Sequence, residues 1–282
     1  MKKIGIYSKS LQENSSLIVK ALERHFNRKD LQFYTLEEMT KHLPDFFQPY
    51  NRGDKLDSIL VFGGDGTILG AVDFALNSTA PILGINMGKL GFLSDFSINE
   101  FDKYIDRLLE SKYSIIKRML LETEIRKNGK VLYRGYALND AVIYKGLVSR
   151  LIEIRFYCNR NFVVETRCDG MIASTPTGST AYSLSAGGPI LAPEMEAFIV
   201  APLCPHVLSV RPMVFSASAE LKFKMTRAYN ETMLQLDGKN VHALTDGDNV
   251  IVRAAKSKVG FITLTGKNFY QTLRKKLHMG KI

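Results

Sequence analysis

Two rhythms of apolar and polar residues divide the sequence. In the first hundred residues, short apolar runs alternate with stretches of helical spacing. Lys3 to Tyr7, Leu31 to Tyr34, Ser58 to Phe62 and Ile82 to Ile85 read as strands. Between them, Leu17 to Phe26 carries Leu17, Val19, Leu22 and Phe26 roughly on one side of a helix, and Ile68 to Leu76 reads as a second helix. Strand, helix, strand in this order predicts a parallel sheet with crossover helices. From about Lys117 the helical spacing vanishes. Ile152, Ile154 and Phe156 alternate with Glu153 and Arg155, and Leu221, Phe223 and Met225 alternate with Lys222 and Lys224. This is the period-two signature of half-buried strands. Asn128-Gly129, Asp237-Gly238 and Asp246-Gly247 mark turns between strands.

The last stretch, NFYQTLRKKLHMGKI, returns to helical spacing through Phe269, Leu273 and Leu277. Its basic residues suit the C-terminal half of a helix. The pattern predicts an α/β N-terminal domain with a Rossmann-like parallel sheet over residues 1–113 and an all-β C-terminal domain over 114–266. A C-terminal helix over 267–282 is expected to pack back on the N-terminal domain. No internal repeat or low-complexity tract interrupts the chain.

Composition narrows the partners. A net charge of +10 with pI near 9.4 fits an anionic partner such as a nucleotide or polyphosphate. The basic residues are dispersed and lack the aromatic and basic stripe of an RNA-binding module, so nucleic acid is not expected. The apolar stretch AFIVAPLCPHVL is broken by Pro202 and Pro205 and is too short to span a bilayer, so no membrane partner is expected. Cys158, Cys168 and Cys204 form no CxxC pair and no zinc spacing, which suits reduced thiols in a cytoplasmic protein. No GxSxG or HExxH occurs, which argues against a serine hydrolase and a zinc peptidase.

Candidate chemistry starts at VFGGDGTILG, residues 61–70. A strand, then glycines, then a helix is a phosphate-binding arrangement. Gly63, Gly64 and Gly66, with Thr67, form the candidate phosphate loop. The spacing matches neither GxxxxGK[ST] nor GxGxxG. Asp65 in its midst would repel phosphate unless it binds a metal ion or faces an alcohol, and either task suits phosphoryl transfer. As a general base it would take a hydroxyl proton. The metal ligands stay open at this point. A second motif, DGMIASTPTGSTAYSLSAGGP over 169–189, concentrates hydroxyls at Thr175, Thr177, Ser179 and Thr180 that can meet the edges of a base. Tyr182 adds a face for stacking, and Gly187 and Gly188 allow close backbone packing. Asp65, Asp140 and Asp169, if they converge, would raise one another's proton affinity.

Together, GGDGT at 63–67, Asn139-Asp140, GINMGKLGFLSDF at 84–96, DGMIASTPTGSTAYSLSAGGP and LSVRPMVF at 208–215 resemble the NAD kinase family over nearly the whole chain. The resemblance implies transfer of the ATP γ-phosphate to the adenosine ribose 2′-hydroxyl of NAD, giving NADP, at an active site between the two domains. It implies Mg²⁺ or another divalent metal as cofactor, and a homodimer or homotetramer. In some members inorganic polyphosphate replaces ATP as donor. Asp65 matches the family's catalytic carboxylate, with Gly66 beside it at the substrate. Asn139 and Asp140 match an Asn-Glu pair that holds NAD, the acid here being one methylene shorter. Arg150 and Arg167 match basic positions near the dinucleotide, and Asp169 the acid at its nicotinamide end. Thr180, Ala181, Tyr182, Ser183, Leu184 and Ser185 match the segment lining its pocket. Lys239 falls where many members carry Gln, and Gly70 where many carry Arg or Lys. From the glycine loop alone, a lipid or other small-alcohol kinase and a non-catalytic nucleotide-binding regulator also stay open.

Overall fold

The computed structural model describes residues 1–9, 11–88, 91–147 and 149–279. The chain forms two compact units, Met1–Lys117 with Val259–Ile282, and Arg118–Lys258. Ser10, Lys89, Leu90, Val148 and residues 280–282 lie outside the described residues, and with them parts of the 84–96 motif and of the expected terminal helix.

In the first unit the sheet runs in the order Phe47–Pro49, Leu31–Thr35, Lys2–Tyr7, Ser58–Phe62, Ile82–Asn86, Val259–Thr263 and Ser114–Arg118, with Phe96–Ser97 also paired to Ile82–Asn86. The central pairs are parallel, Ile59 facing both Gly5 and Ile82 in register. Ser58–Phe62 and Ile82–Asn86 are buried at every residue, which is why they read as unbroken apolar runs and not as alternation. The expected α/β class is thus borne out. Two details differ. The helix expected over Ile68 to Leu76 is two, Asp65–Gly70 and Val72–Ser78, with the junction at Ala71, φ −86° and ψ −6°. The break follows Gly70, the weakest helix former of the run. In Leu11–Leu22, Ile18 and Leu22 are fully buried, whereas Leu17 is exposed. The one-sided stripe therefore passes through Ile18, four residues before Leu22.

The terminal helix Phe269–Leu277 opens on a reciprocal cap between Asn268 and Gln271. It belongs to the first unit, with Leu273 buried and Phe269 set 6.5 Å from the Phe92 ring. The return to this unit comes at Val259, before the residue expected from the sequence pattern. Val259–Thr263 is a strand like those preceding it, and its local pattern does not distinguish the parallel sheet it joins from the antiparallel ones it leaves.

The second unit is built from two six-stranded antiparallel sheets. One is ordered Met213–Ser216, Ala197–Leu203, Gly170–Ser174, Asp140–Tyr144, Met233–Leu236, Lys239–Ala243. The other is Asn161–Cys168, Ile152–Cys158, Leu221–Arg227, Asn249–Ala254, Leu121–Lys127, Lys130–Ala137. Inward residues from both, among them Phe156, Phe223, Met171, Phe198 and Leu234, make one core. Phe156 and Phe223 stack at 4.9 Å. Among the described residues of this unit, helical turns occur at Gly178–Thr180, a turn of 3-10 helix, and at Tyr182–Ser185, a short α-helix.

Candidate active site

In the first unit the glycine loop follows Ser58–Phe62, at the carboxyl end of a central parallel strand, where open α/β sheets bind ligands. The three glycines divide the work. Gly63 donates its N–H to Ile85 O at 2.9 Å, and a Cβ there would overlap the Thr67 side chain. Gly63 therefore makes the turn, and its amide is spent on the sheet. Gly64 and Gly66 are exposed and have open space around them. Both leave the backbone of the loop bare. The helix beyond has only six residues, Asp65–Gly70, so its dipole at the loop is weak.

Asp65 stands half-buried in the first turn of that helix. It does not cap its own helix. Its Oδ2 accepts the Phe92 N–H at 2.8 Å, and its Oδ1 accepts the Leu93 N–H at 3.0 Å. A Cβ on Gly91 would overlap this carboxylate. The segment after Ile82–Asn86 thus closes over Asp65 and fixes its rotamer. Asp95 braces the same segment by accepting the N–H of Leu264 and Thr265 and both threonine hydroxyls at 263 and 265, at 2.7 to 3.1 Å. Gly70 faces the Tyr7 hydroxyl, 2.7 Å from where its Cβ would be. A side chain at this position would have to displace that hydroxyl.

In the second unit, Asn139 and Asp140 enter the strand Asp140–Tyr144, which pairs with Gly170–Ser174. Thr175 Oγ1 donates to Leu138 O at 2.6 Å, the Thr175 N–H to Asn139 O at 2.8 Å, and Ser174 Oγ to Asn139 O at 3.2 Å. A Cβ on Gly178 would overlap Asn139 O, so glycine is required where the second motif crosses this pair. From the other side the Asp237 carboxylate accepts the N–H groups of Leu138, Asn139 and Asp140 at 2.8, 2.7 and 3.2 Å.

The acid of this pair is itself unusual. Asp140 is only 5% exposed. Burial first, and the neighbouring Asp237 second, push its carboxyl up to about 7. Asp169 lies elsewhere: Asp140 faces Ser174, whereas Tyr144 faces Gly170. Asp140 and Asp169, the latter across from Lys145, therefore stand at opposite ends of the strand pair, about 17 Å apart along the strand at ~3.4 Å per residue. The expectation that these two acids perturb each other is corrected; Asp237 is the acid beside Asp140. Asp169 instead pairs with Lys145 Nζ at 2.7 Å.

The hydroxyls of the second motif also need correction. Ser174, Thr175 and Ser179 are buried and bonded to backbone, Ser179 to Pro176 O at 2.6 Å and to Leu191 at both its N–H and its carbonyl. They hold the turn and do not offer themselves to a ligand. Thr177 and Ser183 hydroxyls are buried without a partner among the described residues. Ser183 is wholly buried and packed against Gly188, so its side chain is no part of an open lining. Thr180, Ala181 and Leu184 are half-buried, and Tyr182 and Ser185 exposed. Arg150 and Lys239 are exposed, and Arg167 reaches Glu153 at 2.8 Å. Sequence reasoning missed Asp237, Lys145 and the amides of Phe92 and Leu93. Among the described residues no group of three His, Cys, Asp or Glu could hold a metal.

Residues 13–113 match the family model of the ATP-NAD kinase N-terminal domain, and residues 138–264 that of the ATP-NAD kinase C-terminal domain. The NAD kinase of Carboxydothermus hydrogenoformans is 40% identical over 224 residues, 79% of this chain and 80% of that protein. The chain belongs to the NAD kinase family. A second NAD kinase, from Syntrophotalea carbinolica, is 34% identical over 284 residues and all of both chains. Among solved structures, yeast NADH kinase complexed with NADH superposes with a TM-score of 0.89 at 24% identity, covering 100% of this chain and 89% of that one. An NAD kinase from Archaeoglobus fulgidus in complex with ATP gives 0.70 at 22% identity, covering 98% of each. At that identity the two structures speak for the NAD kinase fold.

Proposed function

We propose that this protein is an NAD kinase that moves the γ-phosphate of ATP to the adenosine ribose 2′-hydroxyl of NAD, releasing ADP and NADP. The observation that carries the mechanism is the pinned carboxylate of Asp65 beside a bare glycine loop, in a chain of this family. Asp65 accepts the 2′-hydroxyl proton as that oxygen attacks the γ-phosphorus. Two backbone donors keep its side chain in one orientation, so little freedom is lost when the hydroxyl arrives. Gly64 and Gly66 let the donor phosphates approach. A divalent ion such as Mg²⁺, carried on the nucleotide phosphates, would supply neutralisation of their charge. In the second unit Asn139, Asp140, Asp169 and the segment Thr180, Ala181, Tyr182 and Ser185 hold the dinucleotide, with Arg150, Arg167 and Lys239 as basic contacts.

The protein acts in the cytoplasm as a homodimer or homotetramer. Its three free cysteines suit a reducing compartment, and among the described residues no helix is long and apolar enough to cross a membrane. A lipid or other small-alcohol kinase and a non-catalytic regulator gain no support from the relatives. The test is incubation of purified protein with ATP, Mg²⁺ and NAD, with NADP read by an NADP-specific dehydrogenase. Asp65→Asn is expected to lower the rate by about two to four decades. NADP formation at the wild-type rate in that variant would remove Asp65 from the role of base.

A further inference from the structure

The Asn139-Asp140 pair has a second holder that the mechanism above leaves unused. Asp237 sends its carboxylate to three successive amides, those of Leu138, Asn139 and Asp140. Its own N–H donates to Asp140 O at 3.0 Å, so the two residues are joined in both directions. A turn needs none of this. Asn128-Gly129 makes a left-handed turn of the same kind, φ 49° and 79°, with no side-chain hydrogen bond among the described residues. Asp237-Gly238, at φ 48° and 76°, makes that turn and also clamps a neighbouring strand entrance.

We propose that Asp237 is the positioning residue of the dinucleotide site, setting the backbone from which Asn139 and Asp140 present their side chains and placing its charge beside the Asp140 carboxyl. The inference rests on the reading of Asn139 and Asp140 as NAD contacts. Burial and then Asp237 push Asp140 up to about 7. Asp237 is also raised by burial, but three amides and Lys239 oppose that rise. Amide donors favour the charged form, and Asp140 accepts no side-chain hydrogen bond among the described residues. The charge therefore resides on Asp237, and the proton near neutrality on Asp140. The elements packed against Asp140 bring few other ionisable groups. The strand Gly170–Ser174 and the turn after it present Ser174, Thr175 and Thr177, which do not titrate. The strand Met233–Leu236 leads into Asp237, and Lys239 on the next strand is the cation acting on it.

Asparagine at 237 would remove the charge and set an NH₂ against one of the three amide donors. The experiment varies NAD and ATP separately between about pH 5.5 and 8.5 for the wild type, Asp237→Asn and Asp237→Glu. In Asp237→Asn the KM for NAD is expected to rise about tenfold, as for loss of one charge-assisted bond, with kcat and the KM for ATP moving less than about threefold. The break in log KM for NAD near pH 7 should shift to lower pH in Asp237→Asn and persist in Asp237→Glu, which keeps the charge. Equal rises in both KM values, or an unshifted break, overturn the proposal. If Asp237→Asn does not fold, Asp140→Asn decides, because the break must then vanish, and its survival is the overturning result. Wild-type protein that forms no NADP overturns the reading of the site and this inference with it. An active wild type with unmoved variant profiles overturns the inference alone.

Discussion

Replacing Gly91 by alanine sets a methyl group where the Asp65 carboxylate now lies. The carboxylate is the end of a rotatable side chain, so the backbone need not yield; Asp65 turns away instead. It then gives up the amides of Phe92 and Leu93, at 2.8 and 3.0 Å. Each half-buried amide left without its charged acceptor costs about 1–3 kcal/mol. Water recovers part of that, so a loss of roughly 2–4 kcal/mol in unfolding free energy is expected, less than the ~5–15 kcal/mol of an ordinary folded protein. The rate suffers more than the fold, because a reacting group misplaced by about 1 Å costs on the order of a hundredfold. The measurements are kcat for NADP formation and the urea midpoint of Gly91→Ala, Asp65→Asn and the double variant. The two substitutions act on one carboxylate, so the double variant should be no slower than Asp65→Asn alone. Wild-type kcat in Gly91→Ala, or losses that multiply in the double variant, would refute the view that this backbone clamp aims the base.

Two further outcomes follow from the second unit. Gly178→Ala sets a Cβ into the Asn139 carbonyl, with Asn139 C and Ser174 Oγ each only 2.6 Å away; backbone cannot step aside, so a stability loss of about 1–3 kcal/mol and a raised KM for NAD are expected, and unchanged urea midpoint and KM would count against the contact. Asp140→Asn tests the buried acid. Its folded-state value lies above the ordinary 3.8, at about 7, so its contribution to stability is complete below about pH 4 and is lost as pH rises through 7, a difference on the order of 4 kcal/mol at most. Asparagine cannot ionise, so relative to the wild type the variant should gain stability between pH 5 and 8, and parallel urea midpoints across that range would contradict the burial argument.

Much of this was readable because the signals were local. The strand, glycines and helix at 58–70 are contiguous, and their order alone marked the bare glycine loop after a central strand. The switch from helical to alternating spacing marked two classes of structure. What escaped the sequence depends on long-range pairing or on backbone. The donors that hold Asp65 are main-chain amides at 92 and 93, which carry no residue signature. Asp237 carried the signal of a turn former, which it is, and nothing local disclosed its reach to Leu138. The hydroxyls of Thr175 and Ser179 were read as free, but small hydroxyl residues in turns readily bond nearby backbone. The break at Ala71 and the buried Ile18 are decided by what those helices pack against, not by their own composition.

The strand Val259–Thr263 fills the place between Ile82–Asn86 and Ser114–Arg118, and Ile262 and Leu264 enter the same core as Ile4, Phe62 and Phe101. During synthesis this piece leaves the ribosome only after all of Arg118–Lys258 has been made. The inserted β unit is continuous in the chain and can fold while it emerges. The α/β layer must wait with an open flank at Ile82–Asn86, a template for intermolecular pairing. A nascent chain stalled or cut before Val259 would therefore be the aggregation-prone species, and the late arrival of Val259–Thr263 acts as the latch that seals the α/β layer.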